Sequence, residues 1–334
     1  MVLKKTRILF LKAFKPLNQP FLNLQNPSFQ FSILLKPLKS YKILVISQPF
    51  YTIKKMLSKV LPRFFSAQTS SFSYNLTPQQ ILKYEEDGFL VLKNILPTHI
   101  TSNLVKWADE LESLPETPGK WMKYFENDKK TSSRLLCRVE NFLPYFKDLE
   151  MLSYGLITDL SSQLFKEPAV IYKEKLNFKF PNGSGFNAHQ DQPAFVSFKI
   201  PTLLTVLLPI DPNTRESGGL DFVKKAHKTK EIFPQNSDGS LRTDIEAKMT
   251  WLPIDGSAGD LVLFDSYAPH RSDINISSFT RRNLYLTYNP LSAGSYRDQY
   301  YIEKRNSFPP ECERDPNKDY SEGAKIFNVA NPIK

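Results

Sequence analysis

The stretch AVIYKEKLNFKF, residues 169–180, decides the fold class. It is a long run of β-forming residues, and it opens a part of the chain in which such runs alternate with turns rich in Pro, Gly, Asn and Asp. The further runs are AFVSFKI (194–200), LLTVLLPI (203–210), LDFV (220–223), DLVLFD (260–265) and RNLYLTYN (282–289). Many short strands joined by turns predict a β-sandwich or β-barrel core.

A predominantly helical part precedes these strands. Residues 76–89, LTPQQILKYEEDGF, predict a helix that is capped by Thr77. Apolar residues at helical spacing predict further helices over 102–114 and 148–165, and a strand is expected over 89–96. The sequence therefore predicts one mostly β domain with flanking helices packed around its strands.

Charge is divided unevenly along the 334-residue chain. Of its 44 Lys and Arg residues, 13 precede Glu85, the first acidic residue, so the remainder carries 31 basic and 34 acidic side chains. The formal net charge of +10 thus belongs to the N-terminal part, and the body has no basic excess for binding nucleic acid. The two cysteines, Cys137 and Cys312, are too few for a disulfide framework or a zinc knuckle.

Residues 1–74 are predicted to be a basic leader, either a targeting segment or a disordered one. They contain no acidic residue and no glycine, which is typical of an organelle transit segment. The stretch that starts at Met56, MLSKVLPRFFSAQTSS, resembles a mitochondrial presequence, so a mitochondrial location is expected, with a cytoplasmic one as the alternative. The apolar runs are too short for a transmembrane segment. An ordered domain is expected over 75–300, with an extension over 301–334 that covers its core.

The short stretch NAHQDQ, residues 187–192, contains the first candidate metal ligands. Residues two apart point to the same face of a strand, so His189 and Asp191 can reach one metal ion. The third ligand has to come from a distant strand, and the best candidate is His270, which ends the run GDLVLFDSYAPH. Two imidazoles and one carboxylate on one side of an octahedron leave positions open for substrate and dioxygen, as in non-haem iron(II) oxygenases. A catalytic zinc ion is the alternative.

Two side chains beyond His270 indicate what such a metal site would bind. Ser272 lies two positions after the histidine and Arg281 lies eleven positions after it. A guanidinium beside a hydroxyl is a docking point for a carboxylate, which arginine binds through two parallel hydrogen bonds. The implied co-substrate is a dicarboxylic 2-oxo acid that chelates the metal at one end and reaches Arg281 at the other. Arg282 is the competing anchor, because neighbouring residues of a strand point to opposite faces.

Several motifs, taken together and in order, resemble the phytanoyl-CoA dioxygenase family of iron(II)- and 2-oxoglutarate-dependent oxygenases. The resemblance covers most of residues 75–300 and is carried by LTPQQILKYEEDGFLVLKNIL, GSGF, HQD, ESGGLDFVKKAHK, and HRSDINIS with the arginine that follows it. It implies a double-stranded β-helix of the jelly-roll or cupin type. It also implies that His189, Asp191 and His270 bind iron(II), that Arg281 and Ser272 bind 2-oxoglutarate, and that dioxygen is the oxidant.

A closer resemblance bears on the substrate. CRVENF, FDSYAPHRSDINIS, RRNLYLTYN and YRDQYYIEKRNSFPPE are similar to the subgroup that hydroxylates small organophosphonates such as 2-aminoethylphosphonate. A small-molecule substrate is therefore expected, and a protein partner cannot be inferred from the sequence. The alternatives are a phytanoyl-CoA-like acyl-CoA 2-hydroxylase and a non-catalytic family member that only binds a ligand. The chain departs from the family at Leu207, where many members have a tryptophan beside the co-substrate.

Polar side chains near the predicted metal site are candidates for contact with the substrate. They are Arg138, Asn141, Lys179 and Gln192, and Lys175 has a similar position in the sequence. Each of them has a structural alternative, because a charged group is often held in an ion pair that has no role in binding. A phosphonate requires several such donors to converge near the metal, whereas an acyl chain requires a long apolar groove.

Overall fold

The computed structural model describes nearly all residues from 73 onwards and few residues before it. The residues described in full are 73–128, 131, 133–330 and 333. The chain divides into two compact units, Met1–Ser66 and Ala67–Lys334. The predicted basic leader and its targeting signal lie almost entirely outside the described residues, so both stay predictions.

The first unit contains five short strands for which the backbone is described. They are β1 (Leu9–Leu11), β2 (Gln25–Asn26), β3 (Phe29–Gln30), β4 (Lys36–Leu38) and β5 (Tyr41–Leu44). β5 pairs with both β1 and β4 in one three-stranded sheet, and β2 pairs with β3.

The second unit begins with a helix, α1 (Pro78–Asp87), whose first turn is closed by two side chains. The Thr77 hydroxyl accepts a hydrogen bond from the backbone N–H of Gln80 at 3.2 Å, and the Gln80 side chain accepts one from the Thr77 N–H at 2.8 Å. The helix ends at Gly88, where φ is +85° and where a β-carbon would collide with the imidazole of His227. Both ends of the predicted helix are therefore specified by local sequence.

The next helices follow the predicted pattern, with one interruption. A strand, β6 (Phe89–Leu92), leads to α2 (Thr98–Ser113). The helix that is expected over 148–165 is divided into α3 (Lys147–Leu152) and α4 (Thr158–Phe165) by a wider π-helical turn. Gly155 in that turn has non-helical angles, φ −97° and ψ −112°.

The remaining elements of the second unit are mostly strands. The strands are β7 (Met122–Asn127), β8 (Arg134–Glu140), β9 (Ala169–Lys179), β10 (Phe186–His189), β11 (Leu204–Pro209), β12 (Leu220–Val223), β13 (Trp251–Ile254), β14 (Leu261–Asp265), β15 (His270–Ser272) and β16 (Arg281–Pro290). The helices are α5 (Thr243–Glu246), α6 (Arg297–Ser307) and α7 (Ser321–Phe327). Over the described ranges, no helix is both long and apolar enough to cross a membrane.

These strands form two antiparallel sheets that face each other. The larger sheet has the order β6-β14-β11-β16-β9-β8-β7, and the smaller has the order β10-β15-β12-β13. Phe222 of the smaller sheet packs between two rings of the larger one, 5.0 Å from Phe89 and 5.1 Å from Phe264 between ring centroids. Buried side chains of the helices, such as Leu104 and Leu160, pack against the outside of the larger sheet. The architecture agrees with the predicted β core and flanking helices.

The C-terminal part shares a core with the sheets. The predicted boundary at residue 300 falls inside α6, and Tyr300 and Tyr301 on this helix are buried. Phe308 stacks on Tyr124 of β7 with 5.5 Å between ring centroids, and Phe327 belongs to the same buried cluster. The described residues of the predicted extension therefore pack as a wall of the same unit.

Candidate active site

His189 and Asp191 lie where β10 ends and a short 3-10 helix (Gln192–Phe198) begins. Gln190 between them is completely buried and fixes the turn. Its amide nitrogen donates to the carbonyls of Glu231 at 3.0 Å and Tyr267 at 2.9 Å, and its oxygen accepts from the Phe233 N–H at 2.8 Å. Gln190 thus fixes the backbone between His189 and Asp191, and with it the positions of both candidate ligands.

His270 completes the predicted group from the neighbouring strand. It is the register partner of His189 in the antiparallel pair of β10 and β15, and the two ring centroids are 4.2 Å apart. The Asp191 Oδ1 atom lies 3.8 Å from His189 Nε2 and 4.0 Å from His270 Nε2. The ligand atoms of the three residues all lie within 4.8 Å of one another. The structure therefore brings together the three residues that were predicted from distant parts of the sequence.

Both imidazoles are held in the form that binds a metal through Nε2. The Nδ1–H of His189 donates to the carbonyl of Asn187 at 2.7 Å, and that of His270 donates to the carbonyl of Ala268 at 3.1 Å. A carbonyl only accepts, so each proton is on Nδ1 and each Nε2 lone pair faces Asp191. Burial, with a smaller contribution from His270, lowers the pKa of His189 to about 3, so this ring is neutral. Two neutral imidazoles and a carboxylate fit iron(II).

Arg281 is a buried guanidinium without an acidic partner. It begins β16 and is 2% exposed, and its Nε donates to the Ser217 carbonyl at 3.3 Å. Over the described ranges, no carboxylate oxygen lies within 4 Å of it. Arg282 points the other way and is paired with Asp211 at 2.7 Å and with Asp109. A buried cation without a counter-ion is costly, so Arg281 is the arginine that is suited to bind an anion.

Lys179 lies beside Arg281 and Ser272, not beside the candidate metal ligands. It is the register partner of Arg281 across β9 and β16. Its ammonium donates to Ser272 Oγ at 2.9 Å and to the carbonyls of Gly218 and Asp273 at 3.2 and 2.5 Å, which uses all three of its protons. Because Ser272 accepts from Lys179, its own hydroxyl proton is available to a carboxylate held by Arg281.

Three other predicted positions are used within the protein. Gln192 is buried, and its amide donates to the Ile200 carbonyl at 2.9 Å and accepts from the Ser266 hydroxyl at 2.7 Å. Asn141 has a left-handed backbone, with φ +56°, and its side-chain oxygen accepts from Arg297 at 3.4 Å. Leu207 is buried in the interior cluster between the sheets. Substrate contact by Gln192 and Asn141 stays a prediction.

Cations that the sequence reasoning missed or gave little weight lie near Asp191. Lys173 and Lys175 are half-buried on β9, at alternate positions that share one face. The Lys175 ammonium lies 4.8 Å from the ring centroid of Tyr285, and the Lys173 ammonium lies 4.7 Å from that of Phe195. Neither has a carboxylate oxygen within 4 Å in the part of the chain that the structure describes.

The charges of Lys173 and Lys175 affect the pKa of the Asp191 carboxyl. Burial alone would raise the pKa of the Asp191 carboxyl, but His270, Lys175, His189 and Lys173 together lower it below its usual value. Burial and the neighbouring Lys175 lower the pKa of Lys173 to about 8. Arg138 is close by and pairs with Glu140 at 3.1 Å, while its Nε has no hydrogen-bond partner among the described residues. The interior beside the candidate metal ligands therefore carries excess positive charge.

Comparisons with known proteins agree with this geometry. The sequence model of the phytanoyl-CoA dioxygenase (PhyH) family matches residues 84–283. The chain is 42% identical over 259 residues to the 2-aminoethylphosphonate dioxygenase of an uncultured bacterium, HF130_AEPn_1, covering 77% of this chain and 98% of that protein. It is 35% identical over 234 residues to the methylphosphonate hydroxylase of Gimesia maris, covering 70% and 88%.

Solved structures support the fold. EctD from S. alaskensis with bound Fe has a TM-score of 0.54 at 19% identity, covering 67% of this chain and 81% of that one. AviO1 from Streptomyces viridochromogenes has a TM-score of 0.52 at 19% identity, covering 65% and 96%. The predicted double-stranded β-helix is confirmed by these neighbours and by the two facing sheets. With the family match over most of the second unit, the chain belongs to the phytanoyl-CoA dioxygenase family, and it is a 2-oxoglutarate-dependent dioxygenase.

Proposed function

We propose that this dioxygenase hydroxylates a C–H bond of a small organophosphonate, such as 2-aminoethylphosphonate. The observation that carries the substrate class is the pair of half-buried lysines, Lys173 and Lys175, which have no acidic partner among the described residues and lie near Asp191. Leaving cations unpaired in a protein interior costs free energy, which a bound dianion would offset. The phosphonate-specific names of two similar proteins point to the same chemical class.

The proposed reaction consumes 2-oxoglutarate, dioxygen and R–H and gives succinate, carbon dioxide and R–OH. Iron(II), when bound, supplies the redox chemistry that couples decarboxylation of the oxo acid to hydroxylation of the substrate. The chain provides the ligands His189, Asp191 and His270 on adjacent, rigidly hydrogen-bonded positions. Arg281 and the Ser272 hydroxyl are proposed to hold the distal carboxylate of 2-oxoglutarate, which fixes the orientation of its reactive end.

Aromatic side chains are proposed to keep bulk water away from the metal ligands. Phe222 stacks on the His270 ring at 5.6 Å and 25°, and Phe264 lies 4.9 Å from the same ring. Both belong to the interior cluster between the two sheets. A dry surround strengthens the interactions of charged groups and protects reactive species from water. Phe222 and Phe264 would therefore protect the reaction at the metal from bulk water.

The proposed function predicts which substrates stimulate turnover. The iron(II)-loaded protein is incubated with 2-oxoglutarate, and succinate is measured with 2-aminoethylphosphonate, its N-methylated analogues, methylphosphonate and branched acyl-CoAs. We expect at least one phosphonate to stimulate succinate release and to be recovered with one added oxygen atom. Stimulation by an acyl-CoA alone would favour the acyl-CoA 2-hydroxylase instead. Metal binding without any stimulated turnover would contradict the phosphonate assignment.

Lys175→Met should weaken binding of the phosphonate. We expect KM for the phosphonate to rise roughly 30-fold or more, because removing one member of a buried charge pair costs about 2 kcal/mol or more. KM for 2-oxoglutarate should change little, because Arg281 and Ser272 are proposed to set it. Lys166→Met is the control, since Lys166 is exposed and paired with Glu85. Equal phosphonate KM values for the Lys175 and Lys166 variants would contradict the assignment of Lys175.

We also propose that the leader, residues 1–74, is a mitochondrial targeting segment. Its support is compositional: residues 1–74 contain 12 basic residues and no acidic residue. Fluorescent fusions that start at Met1 or at Met56 test this. Mitochondrial fluorescence from either fusion is expected, and diffuse cytoplasmic fluorescence from both would contradict the proposal.

A further inference from the structure

Glu140 and Lys175 have opposite charges and neighbouring positions but do not form an ion pair. They are register partners in the antiparallel pair of β8 and β9. Side chains directly opposite each other in such a pair have β-carbons about 5 Å apart and share one face of the sheet. Cross-strand neighbours of opposite charge normally attract each other. The Lys175 ammonium nevertheless lies over the ring of Tyr285, with no carboxylate oxygen within 4 Å in the described part of the chain.

The carboxylate of Glu140 is held instead by two other cations. Lys304, from helix α6, donates to Glu140 Oε1 at 2.6 Å, and Arg138 Nη1 donates to the same oxygen at 3.1 Å. The side chains of both Lys304 and Glu140 are completely buried. Burial would raise the pKa of Glu140, but the charges of Lys304 and Arg138, with a smaller contribution from Lys173, outweigh it and lower this pKa to about 2. The carboxylate is therefore ionised and directed toward α6.

The helix that supplies Lys304 is fixed independently of this ion pair. On the same helix, Tyr300 packs against Tyr172 with 4.9 Å between ring centroids. Arg297 binds Glu174, a residue between Lys173 and Lys175 on the opposite face of β9, at 2.6 Å. Lys304 is thus carried to Glu140 by a packed element, and its position does not depend on the substrate site.

We propose that Lys304 is a positioning residue that keeps Glu140 away from Lys175, so that Lys175 remains free for the anionic group of the substrate. Without Lys304, one of the two cations that hold Glu140 is lost, and Lys175 is the cross-strand neighbour able to replace it. The resulting ion pair would neutralise Lys175. This inference rests on the proposed function, because it assigns Lys175 to the phosphonate.

Two variants test the inference through a rescue. Lys304→Met should raise KM for the phosphonate about tenfold or more, because a competing carboxylate now pairs with Lys175. The double variant Lys304→Met with Glu140→Gln has no competing carboxylate, and we expect its KM to return to within about threefold of the wild-type value. A purely structural role for Lys304 predicts that the second substitution brings no recovery. A double variant with a KM equal to or above that of Lys304→Met would overturn the inference.

The control and a second readout separate this inference from the proposed function. Arg305→Met removes an ion pair with Glu313 from the same helix, so it should lower the melting temperature and leave the phosphonate KM within about twofold. The second readout is a crystal structure of Lys304→Met without substrate. In it, a Glu140 oxygen should lie within about 4 Å of Lys175 Nζ. If Lys304→Met does not fold, Lys304→Gln replaces it in both tests.

The possible outcomes are distinguishable. If wild-type protein responds to no phosphonate, the proposed function fails, and the crystal structures alone then decide whether Lys304 holds Glu140 away from Lys175. If wild-type protein responds but the double variant shows no recovery, only the role of Lys304 fails. A Glu140 side chain that stays with Arg138 in the Lys304 variant would overturn the inference in either case.

Discussion

Asp191→Ala should abolish substrate-stimulated succinate release. We expect a loss of at least about 1000-fold, equivalent to about 4 kcal/mol of transition-state stabilisation, because the three-ligand set would lose its carboxylate. Iron content after reconstitution should fall as well, since the two remaining imidazoles hold a divalent ion less tightly. The measurement is succinate formation together with bound iron per chain.

Asp221→Ala is a suitable control for the loss of a carboxylate. The Asp221 side chain is 15% exposed, against 12% for Asp191, and it pairs with Arg271 away from the candidate ligands. We expect this variant to bind iron and to turn over normally. Activity in Asp191→Ala that matches the control would remove Asp191 from the metal site.

Arg281→Leu should raise KM for 2-oxoglutarate by roughly 100-fold, which corresponds to about 2.7 kcal/mol of binding free energy. The reason is that Arg281 is a buried cation without an acidic partner in the described residues, beside a serine whose proton is available. Initial rates over a range of 2-oxoglutarate concentrations measure the effect. The KM for the phosphonate should change much less.

The neighbouring Arg282 provides the control for this prediction. Arg282→Leu removes ion pairs with Asp211 and Asp109, so stability should fall while KM for 2-oxoglutarate stays near the wild-type value. Similar KM values for the two variants would mean that neither arginine is the anchor. A large effect of Arg282→Leu alone would exchange their assigned roles.

The candidate metal ligands could be found from the sequence because each follows a local pattern. His189 and Asp191 were expected on one face of a strand, but β10 ends at His189 and Asp191 lies in the turn that follows it. His270 begins the short strand β15, after the strand β14 that its run predicted. Their meeting depends on β10 and β15 being neighbours, which no local pattern specifies. Only the resemblance to a family supplied that pairing before the structure did.

Lys173 could not be recognised because its local pattern has two meanings. Charged residues at 173, 174 and 175 look like a solvent-facing part of a strand, yet Glu174 is completely buried and both lysines are half-buried. Alternating lysines in an otherwise apolar strand were the available signal. Gln192 was proposed for substrate contact from its position next to Asp191, and this stays a prediction; in the structure its amide hydrogen-bonds to Ile200 and Ser266.

The fold was predictable in outline but not in its interruptions. The helix start at Thr77 follows from a capping pattern that is complete within four residues. The break at Gly155 inside the helix expected over 148–165 is different, because apolar spacing continues across it. It coincides with a long-range contact, in which the Tyr288 hydroxyl donates to the Ser153 carbonyl at 2.7 Å.

The position of β10 at the edge of its sheet affects the stability of the protein as well as its chemistry. This strand is joined to β15 through two register pairs, Phe186 with Ser272 and His189 with His270, with an irregularity between them. An ion bound by both His189 and His270 would be a reversible cross-link that closes a loop of about 80 residues. An edge strand that is released exposes N–H and C=O groups to other chains. Loss of the ion would therefore weaken the attachment of β10 to β15 as well as stop turnover, and the strand would then be held mainly by the backbone hydrogen bonds of Asn187 with Ala330 and of Ala188 with Leu241.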